Sequence, residues 1–124
     1  MIAADTSSLV AYFSGAGGVD VDALAAALAG GQLVRPPVVA TEILSDPATT
    51  SVFEAEISLL EMLAIFEKYW LRAAQSRRKV QRNRLKAKVS DALVAQSCID
   101  HDVALITRDR DFRHFAKHCG LRLA

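Results

Sequence analysis

Five carboxylates could form one acidic site, although they lie far apart along the chain: Asp5, Glu42, Asp91, Asp109 and Asp111. Asp5 and Asp109 each follow a short apolar run, where a buried strand would end. Carboxylates held a few ångströms apart repel one another, and some take up protons unless a cation is present. Mg²⁺ and similar hard cations prefer oxygen ligands. The pattern therefore indicates chemistry assisted by Mg²⁺ or Mn²⁺.

A basic segment provides the opposite charge. Nine of the 15 Lys and Arg residues lie between Lys68 and Lys88, a stretch without any acid. A phosphodiester backbone binds such clusters of cations, although a solvated helix face is the simpler alternative. The residues predicted to contact nucleic acid are Arg77, Arg78, Arg82, Lys86, Lys88, Arg108 and Arg110.

Short apolar runs alternate with helical patterns, which predicts a central parallel sheet of four to five strands covered by helices. The predicted strands are 1–4, 32–35, 62–66, 103–106 and 121–123. Ligands bind outside the carboxyl ends of parallel strands, so Asp5 and Asp109 are expected to meet at one edge of the sheet. Asp91 in the first turn of its helix and Glu42 in the middle of another are expected to lean over that edge.

Each acid also has a simpler structural interpretation. Asp5 and Asp91 could complement helix dipoles, Glu42 could be a surface acid, and Asp109 could cap the last helix. Asp111 has three open roles, which are binding a metal ion, contacting it through water, or capping the final helix.

The composition limits which classes of protein the chain can belong to. A chain of 124 residues with 52% hydrophobic content is expected to form a single domain spanning 1–124. Its apolar stretches fall short of the roughly 20 residues that cross a bilayer, and the N-terminus lacks the pattern of a signal peptide. We therefore expect a cytoplasmic protein in which Cys98 and Cys119 are free thiols.

Four segments together resemble a known family. They are residues 1–7 (MIAADTS), 41–44 (TEIL), 90–95 (SDALVA) and 105–112 (LITRDRDF). In order and spacing they resemble a PIN domain of the VapC toxin type, which has a three-layer α/β/α fold. The resemblance implies a ribonuclease that requires Mg²⁺ or Mn²⁺, leaves 3′-hydroxyl and 5′-phosphate products, forms a homodimer and is inhibited by a cognate antitoxin protein.

Carried over by position, the resemblance implies that Asp5, Glu42, Asp91 and Asp109 are the catalytic quartet. Three of them, Asp5, Asp91 and Asp109, are the expected metal ligands. The expected supporting residues are Ser7, Thr107 and Asp111.

Two alternatives remain open at this point. A PIN-type nuclease in RNA processing, or one acting on DNA, would share these residues, and a non-catalytic interaction module could keep the same fold. Tyr69 and Trp70 could stack on a base, but aromatics at the start of a helix more often fill a core or a dimer interface. We expect them to pack.

Overall fold

Four short parallel strands form the centre of the fold in the computed structural model, which describes residues 1–124. The strands are β1 (Ile2–Ala4), β2 (Leu33–Arg35), β3 (Glu61–Met62) and β4 (Ala104–Ile106), in the spatial order β3-β2-β1-β4. Leu123 adds an isolated parallel bridge to Leu105. The predicted parallel sheet of four to five strands is confirmed.

Seven helices flank the sheet and complete the predicted three-layer α/β/α architecture. They are α1 (Thr6–Phe13), α2 (Val19–Ala29), α3 (Pro37–Ser45), α4 (Ser51–Leu59), α5 (Tyr69–Arg82), α6 (Val89–Asp100) and α7 (Phe112–Cys119). None of them is long and apolar enough to span a membrane.

Local chemistry explains where several helices begin. Asp5 accepts a hydrogen bond from the Ser8 amide and so caps α1, while Thr50 caps α4 through the Phe53 amide. Pro37 opens α3 at a position whose N–H would have no helical partner.

The sequence pattern predicts a basic helix that starts at Glu67 and includes Leu85, an Ala-rich helix over residues 23–29 capped by Asp20 or Asp22, and a later helix capped by Ser90. The structure corrects all three boundaries. The basic helix ends at Arg82, so Lys86 and Lys88 lie in the loop before α6. Ser90 does not cap α6, which starts at Val89 without a side-chain cap. The second helix begins at Val19, so Asp20 lies in its first turn and does not cap it. The Asp20 carboxylate binds Arg108 instead.

A single cluster of 23 buried residues forms the core. Ala3 and Ala4 in β1 are fully buried, and their small side chains let helices approach the central strand closely. Tyr69 is buried at the start of α5, and its hydroxyl donates to the Leu93 carbonyl of α6 at 2.5 Å. The prediction that Tyr69 packs inside is confirmed, whereas Trp70 is 61% exposed.

The strand order fixes where a site can form. β1 leads to β2 on one side and later pairs with β4 on the other, so the order of the strands reverses at β1. Ligands bind in the crevice outside the carboxyl ends of strands at such a switch point. Asp5 directly follows β1, and residues 107–111 directly follow β4.

The central strands should carry much of the stability. Leu105→Ala removes a fully buried side chain from β4, and we expect it to lower the free energy of unfolding by about 2–5 kcal/mol. The matched change Leu59→Ala affects a side chain that is 80% exposed on α4 and should change stability by less than about 0.5 kcal/mol. Urea denaturation of both variants measures the difference, and equal effects would contradict this description of the core.

Candidate active site

Four of the predicted acids surround one small cavity at the carboxyl edge of the sheet. The cavity holds about 230 Å³ and is lined by Asp5, Glu42, Asp91 and Asp109. These acids come from the end of β1, from α3, from the first turn of α6 and from the segment after β4. Ser7, also predicted, lines it with Thr6, Lys88 and Ser90.

Asp5 is the most firmly held acid of the cavity. Its side chain accepts hydrogen bonds from the Ser7 hydroxyl at 2.8 Å, the Ser8 amide at 3.1 Å and the Thr107 hydroxyl at 2.8 Å. Thr107 in turn accepts a hydrogen bond from the Asp109 amide, which orients its hydroxyl toward Asp5. A carboxylate has roughly four acceptor positions, so these three donors leave about one position free.

Burial raises the pKa of Asp5, while the hydrogen bonds from Thr107, Ser7 and Ser8 act in the opposite direction. The effect of burial on the pKa of Asp5 is therefore larger than the combined effect of these hydrogen bonds. A carboxylate in such a place keeps its charge more easily when a cation lies beside it.

Asp91 is buried and poorly satisfied. Its Oδ2 atom is shielded from solvent and accepts no hydrogen bond. Burial raises its pKa to about 6, the nearby Asp109 carboxylate adds to the rise, and Lys88 opposes it. A buried carboxylate oxygen without a donor costs free energy unless another positive partner is present.

Asp109 and Asp111 complete a compact group with Asp91, in which one oxygen from each of the three lies within 4.8 Å of the others. The Asp111 amide donates to Asp109 Oδ1 at 2.9 Å. Asp111 does not cap α7 through its side chain, and its carboxylate lies 3.7 Å from the Lys86 ammonium. Of the two, only Asp109 lines the cavity.

Glu42 stands at the exposed rim. Its Oε1 accepts a hydrogen bond from the Thr6 hydroxyl at 2.9 Å, which links α3 to the start of α1. Because the side chain keeps contact with solvent, it can reach a bound molecule without the desolvation that burdens Asp5 and Asp91.

This donor set fits a hard divalent cation. All the candidate ligands are carboxylate oxygens, which Mg²⁺ and Mn²⁺ prefer, and the unpartnered Asp91 Oδ2 is an acceptor that such an ion would satisfy. Asp91 and Asp109, with the remaining acceptor position of Asp5, are the residues that would hold it. Asp111 is close enough to contribute.

Arg108 is fixed by an ion pair rather than turned toward the cavity. Its Nε and Nη2 atoms donate to the two oxygens of Asp20 at 2.9 and 3.0 Å, and Nη2 also donates to the Gly17 carbonyl. The Arg108 hydrogen bonds lower the pKa of Asp20 to about 2. Ser8 donates to the same carboxylate, so this pair connects the turn after β4 to α1 and α2.

The other predicted cations occupy two flanks of the acidic cavity. Arg110 lies in a neighbouring cavity of about 400 Å³ with Arg113, a cation that is not among the predicted nucleic-acid contacts. Arg77 donates from Nε to the Ala87 carbonyl at 2.8 Å. Lys88 lines the acidic cavity itself. Arg78 and Arg82 are exposed on α5 and form no ion pair.

A thiol nucleophile does not fit this geometry. Both cysteines are free, as predicted. Burial raises the pKa of Cys98 to about 12 and also raises the pKa of Cys119, so both stay protonated and unreactive at neutral pH.

The raised pKa of Asp91 gives a pH-dependent prediction for stability. The folded pKa of about 6 lies above the ordinary value of 3.8, so the protonated carboxyl contributes stability that is lost as the pH rises from about 4 to 6. In EDTA at neutral pH, Asp91→Asn should raise the free energy of unfolding by about 1–2 kcal/mol, because the amide carries no charge. The gain should shrink at about pH 4.

Thermal unfolding at the two pH values measures this difference. Asp22→Asn, an exposed acid on α2, is the control and should change stability by less than about 0.5 kcal/mol. A loss of stability in Asp91→Asn at neutral pH would contradict the proposed electrostatic cost.

Comparisons with known proteins identify the family and the fold of the chain. The model of the PIN domain family matches residues 2–118. The search of curated proteins found no match. Among solved structures, the chain is similar to one in the crystal structure of VapBC2 from Rickettsia felis bound to a DNA fragment from their promoter, with a TM-score of 0.74 and 19% sequence identity. The likeness covers 100% of this chain and 98% of that one.

At this identity, the structural likeness shows a shared fold. The family match shows more than the fold, because it spans nearly the whole chain, including every residue that lines the acidic cavity. The chain belongs to the PIN domain family.

Proposed function

We propose that this PIN domain is a metal-dependent endoribonuclease of the VapC toxin type. PIN domains are nucleases, and the observation that carries the finer proposal is the acidic cluster around the unpartnered, buried Asp91 oxygen. Protein interiors rarely leave such an oxygen without a partner, and of the three buried side-chain oxygens without one, on Asp91, Ser97 and Asp100, only that of Asp91 belongs to the acidic cluster. A bound Mg²⁺ or Mn²⁺ gives that oxygen a partner.

In this proposal, the carboxylates divide the work of binding and proton transfer. When bound, a divalent cation lowers the pKa of water and neutralises charge on a phosphodiester. Ser7, Ser8 and Thr107 keep Asp5 in one orientation, so it offers a fixed ligand oxygen. Glu42 at the exposed rim can accept the proton that is released from the attacking water.

Basic residues around the cavity support a polyanionic substrate. Lys88 lines the cavity, Arg110 and Arg113 occupy one flank, and Arg77 and Arg78 occupy another. These cations can hold phosphates on either side of the cleaved bond, which positions the chain without reading its sequence. We propose RNA as that polyanion, in keeping with the VapC resemblance.

The proposed partner is a cognate antitoxin protein, and the proposed assembly is a homodimer in the cytoplasm. The structural neighbour comes from a VapBC2 assembly, which supports a toxin–antitoxin context for a chain of this fold. An antitoxin that places a cationic side chain near Asp91 and Asp109 would neutralise the same carboxylates that a metal ion requires.

The nuclease proposal predicts metal-dependent cleavage of RNA by the purified protein. We expect cutting of a mixed RNA pool with Mg²⁺ or Mn²⁺ and none with EDTA. Asp5→Asn, Asp91→Asn and Asp109→Asn should each lower the rate at least about 100-fold, because each removes a ligand charge. Asp22→Asn, purified in parallel, should cut at the wild-type rate and so controls for contaminating nuclease.

The same assay separates the alternatives. Cleavage of single-stranded DNA in preference to RNA would overturn the choice of substrate while keeping the nuclease. No cleavage with any metal ion, or equal cleavage by all the variants, would favour the interaction module.

The geometry also predicts unequal roles for Asp109 and Asp111. Asp109 lines the cavity, whereas Asp111 lies outside its lining and is partly neutralised by Lys86. We expect Asp111→Asn to lose at least about 10-fold less activity than Asp109→Asn. Cleavage rates measured across a Mn²⁺ titration test this order, and a greater loss in Asp111→Asn would exchange the two assignments.

A further inference from the structure

A third cavity, distinct from the two already described, lies between α5 and α6. It holds about 560 Å³ and is mostly apolar. We call it the α5–α6 groove and define it by Trp70, Ala74, Arg77, Arg78, Val89 and Leu93. Trp70, Arg77 and Arg78 recur along one side of α5, so the groove runs for about 12 Å beside that helix.

Trp70 is the most unusual residue of the groove. It is 61% exposed, although an indole gains much from burial. Its ring meets Tyr69 edge to face, with the ring centroids 5.0 Å apart. Because Tyr69 is buried and hydrogen-bonded to Leu93, it restrains the exposed indole.

The charge of the groove is entirely positive. Arg77 and Arg78 line it, and no acidic residue does. Neither guanidinium lies within ion-pair distance of a carboxylate, and Arg77 is held in place by the Ala87 carbonyl at 2.8 Å. Two cations, of which Arg77 is held in place, lie beside an exposed aromatic surface and favour an occupant that is both anionic and aromatic.

The first turn of α6 separates the groove from the acidic cavity. Ser90 and Asp91 line the acidic cavity, while their neighbours Val89 and Ala92 line the groove. A chain bound at the acids can therefore extend over the first turn of α6 toward Arg77 and Trp70.

We propose that the α5–α6 groove is a base-binding subsite for single-stranded RNA. Trp70 stacks on an unpaired base, and Arg77 and Arg78 hold the adjoining phosphates. Stacking on a side chain requires a base that is free of its neighbours, which a duplex does not offer. This inference rests on the proposed function for its substrate, and it adds where the strand runs beyond the cleaved bond.

A second copy of the chain fits the groove less well. A two-fold interface brings the same patch of both subunits together, and here that patch contains arginines without an acid to pair with them. Burying them there would cost the solvation of two guanidiniums on each side. RNA phosphates supply the missing negative charge.

Trp70 is the only tryptophan in the chain, so its fluorescence reports on the groove directly. In EDTA, where cleavage stops, an oligouridylate of about ten nucleotides should quench this emission as it binds. Duplex RNA and inorganic polyphosphate should quench it far less, because they offer charge without a free base. Titration of each probe gives the dissociation constant.

Two kinds of variant distinguish the contribution of base stacking to RNA binding from that of charge. Trp70→Ala should weaken oligouridylate binding about 5- to 100-fold by fluorescence anisotropy of a labelled strand, and Trp70→Phe should recover most of the loss. Arg78→Ala should reduce the salt slope of binding by about 0.7. Leu71→Ala and Lys79→Ala, which change exposed neighbours on α5 outside the groove, should leave binding unchanged.

Two results would overturn the subsite. The first is that Trp70→Ala binds oligouridylate as tightly as the wild type. The second is that Trp70 emission changes with protein concentration in the absence of RNA and that Trp70→Ala dissociates a dimer, because the groove would then be an interface between two copies of the chain. Metal-dependent RNA cleavage would still support the nuclease in either case. Conversely, quenching by oligouridylate without cleavage would support the subsite and overturn the nuclease.

Discussion

β1 and β4 pair in parallel at one side of the sheet's centre, with Ile2 opposite Ala104 and Ala4 opposite Ile106. This pairing joins strands from opposite ends of the sequence, and it brings Asp5 and Thr107 within 2.8 Å. The Arg108–Asp20 ion pair reinforces it outside the sheet. Every other part of the acidic cavity is arranged around this junction, because α3 and α6 only add Glu42 and Asp91 to an edge that the two strands have already defined.

The cavity represents a conflict between folding and function. Burial raises the pKa of both Asp5 and Asp91, so the folded chain holds these carboxylates at a cost. Hydrogen bonds from Ser7, Ser8 and Thr107 reduce the cost at Asp5, whereas Asp91 keeps a buried oxygen without a donor. A hydrogen-bond donor from the protein to Asp91 would stabilise the fold but would occupy the acceptor that we propose for a cation.

The fold class and the PIN family were predictable because strand ends and short motifs are local features. Asp5, Glu42, Asp91 and Asp109 were found from their contexts, and they do line one cavity. The caps were less predictable, since Ser90 and Asp20 could serve local or distant partners equally well, and only the tertiary structure assigns Asp20 to Arg108. The exposure of Trp70 was missed for a similar reason, because its helical position does not reveal which neighbours cover it.

The hydrogen bond from Thr107 to Asp5 spans 102 positions of the chain, and this separation has a consequence during synthesis. A ribosome releases β1 early, but β4 and the residues after it emerge only when most of the domain has been translated. Until then, Asp5 lacks Thr107, and the carboxylates of residues 109 and 111 do not yet exist. The acidic cavity can therefore assemble only after nearly the whole domain has been translated.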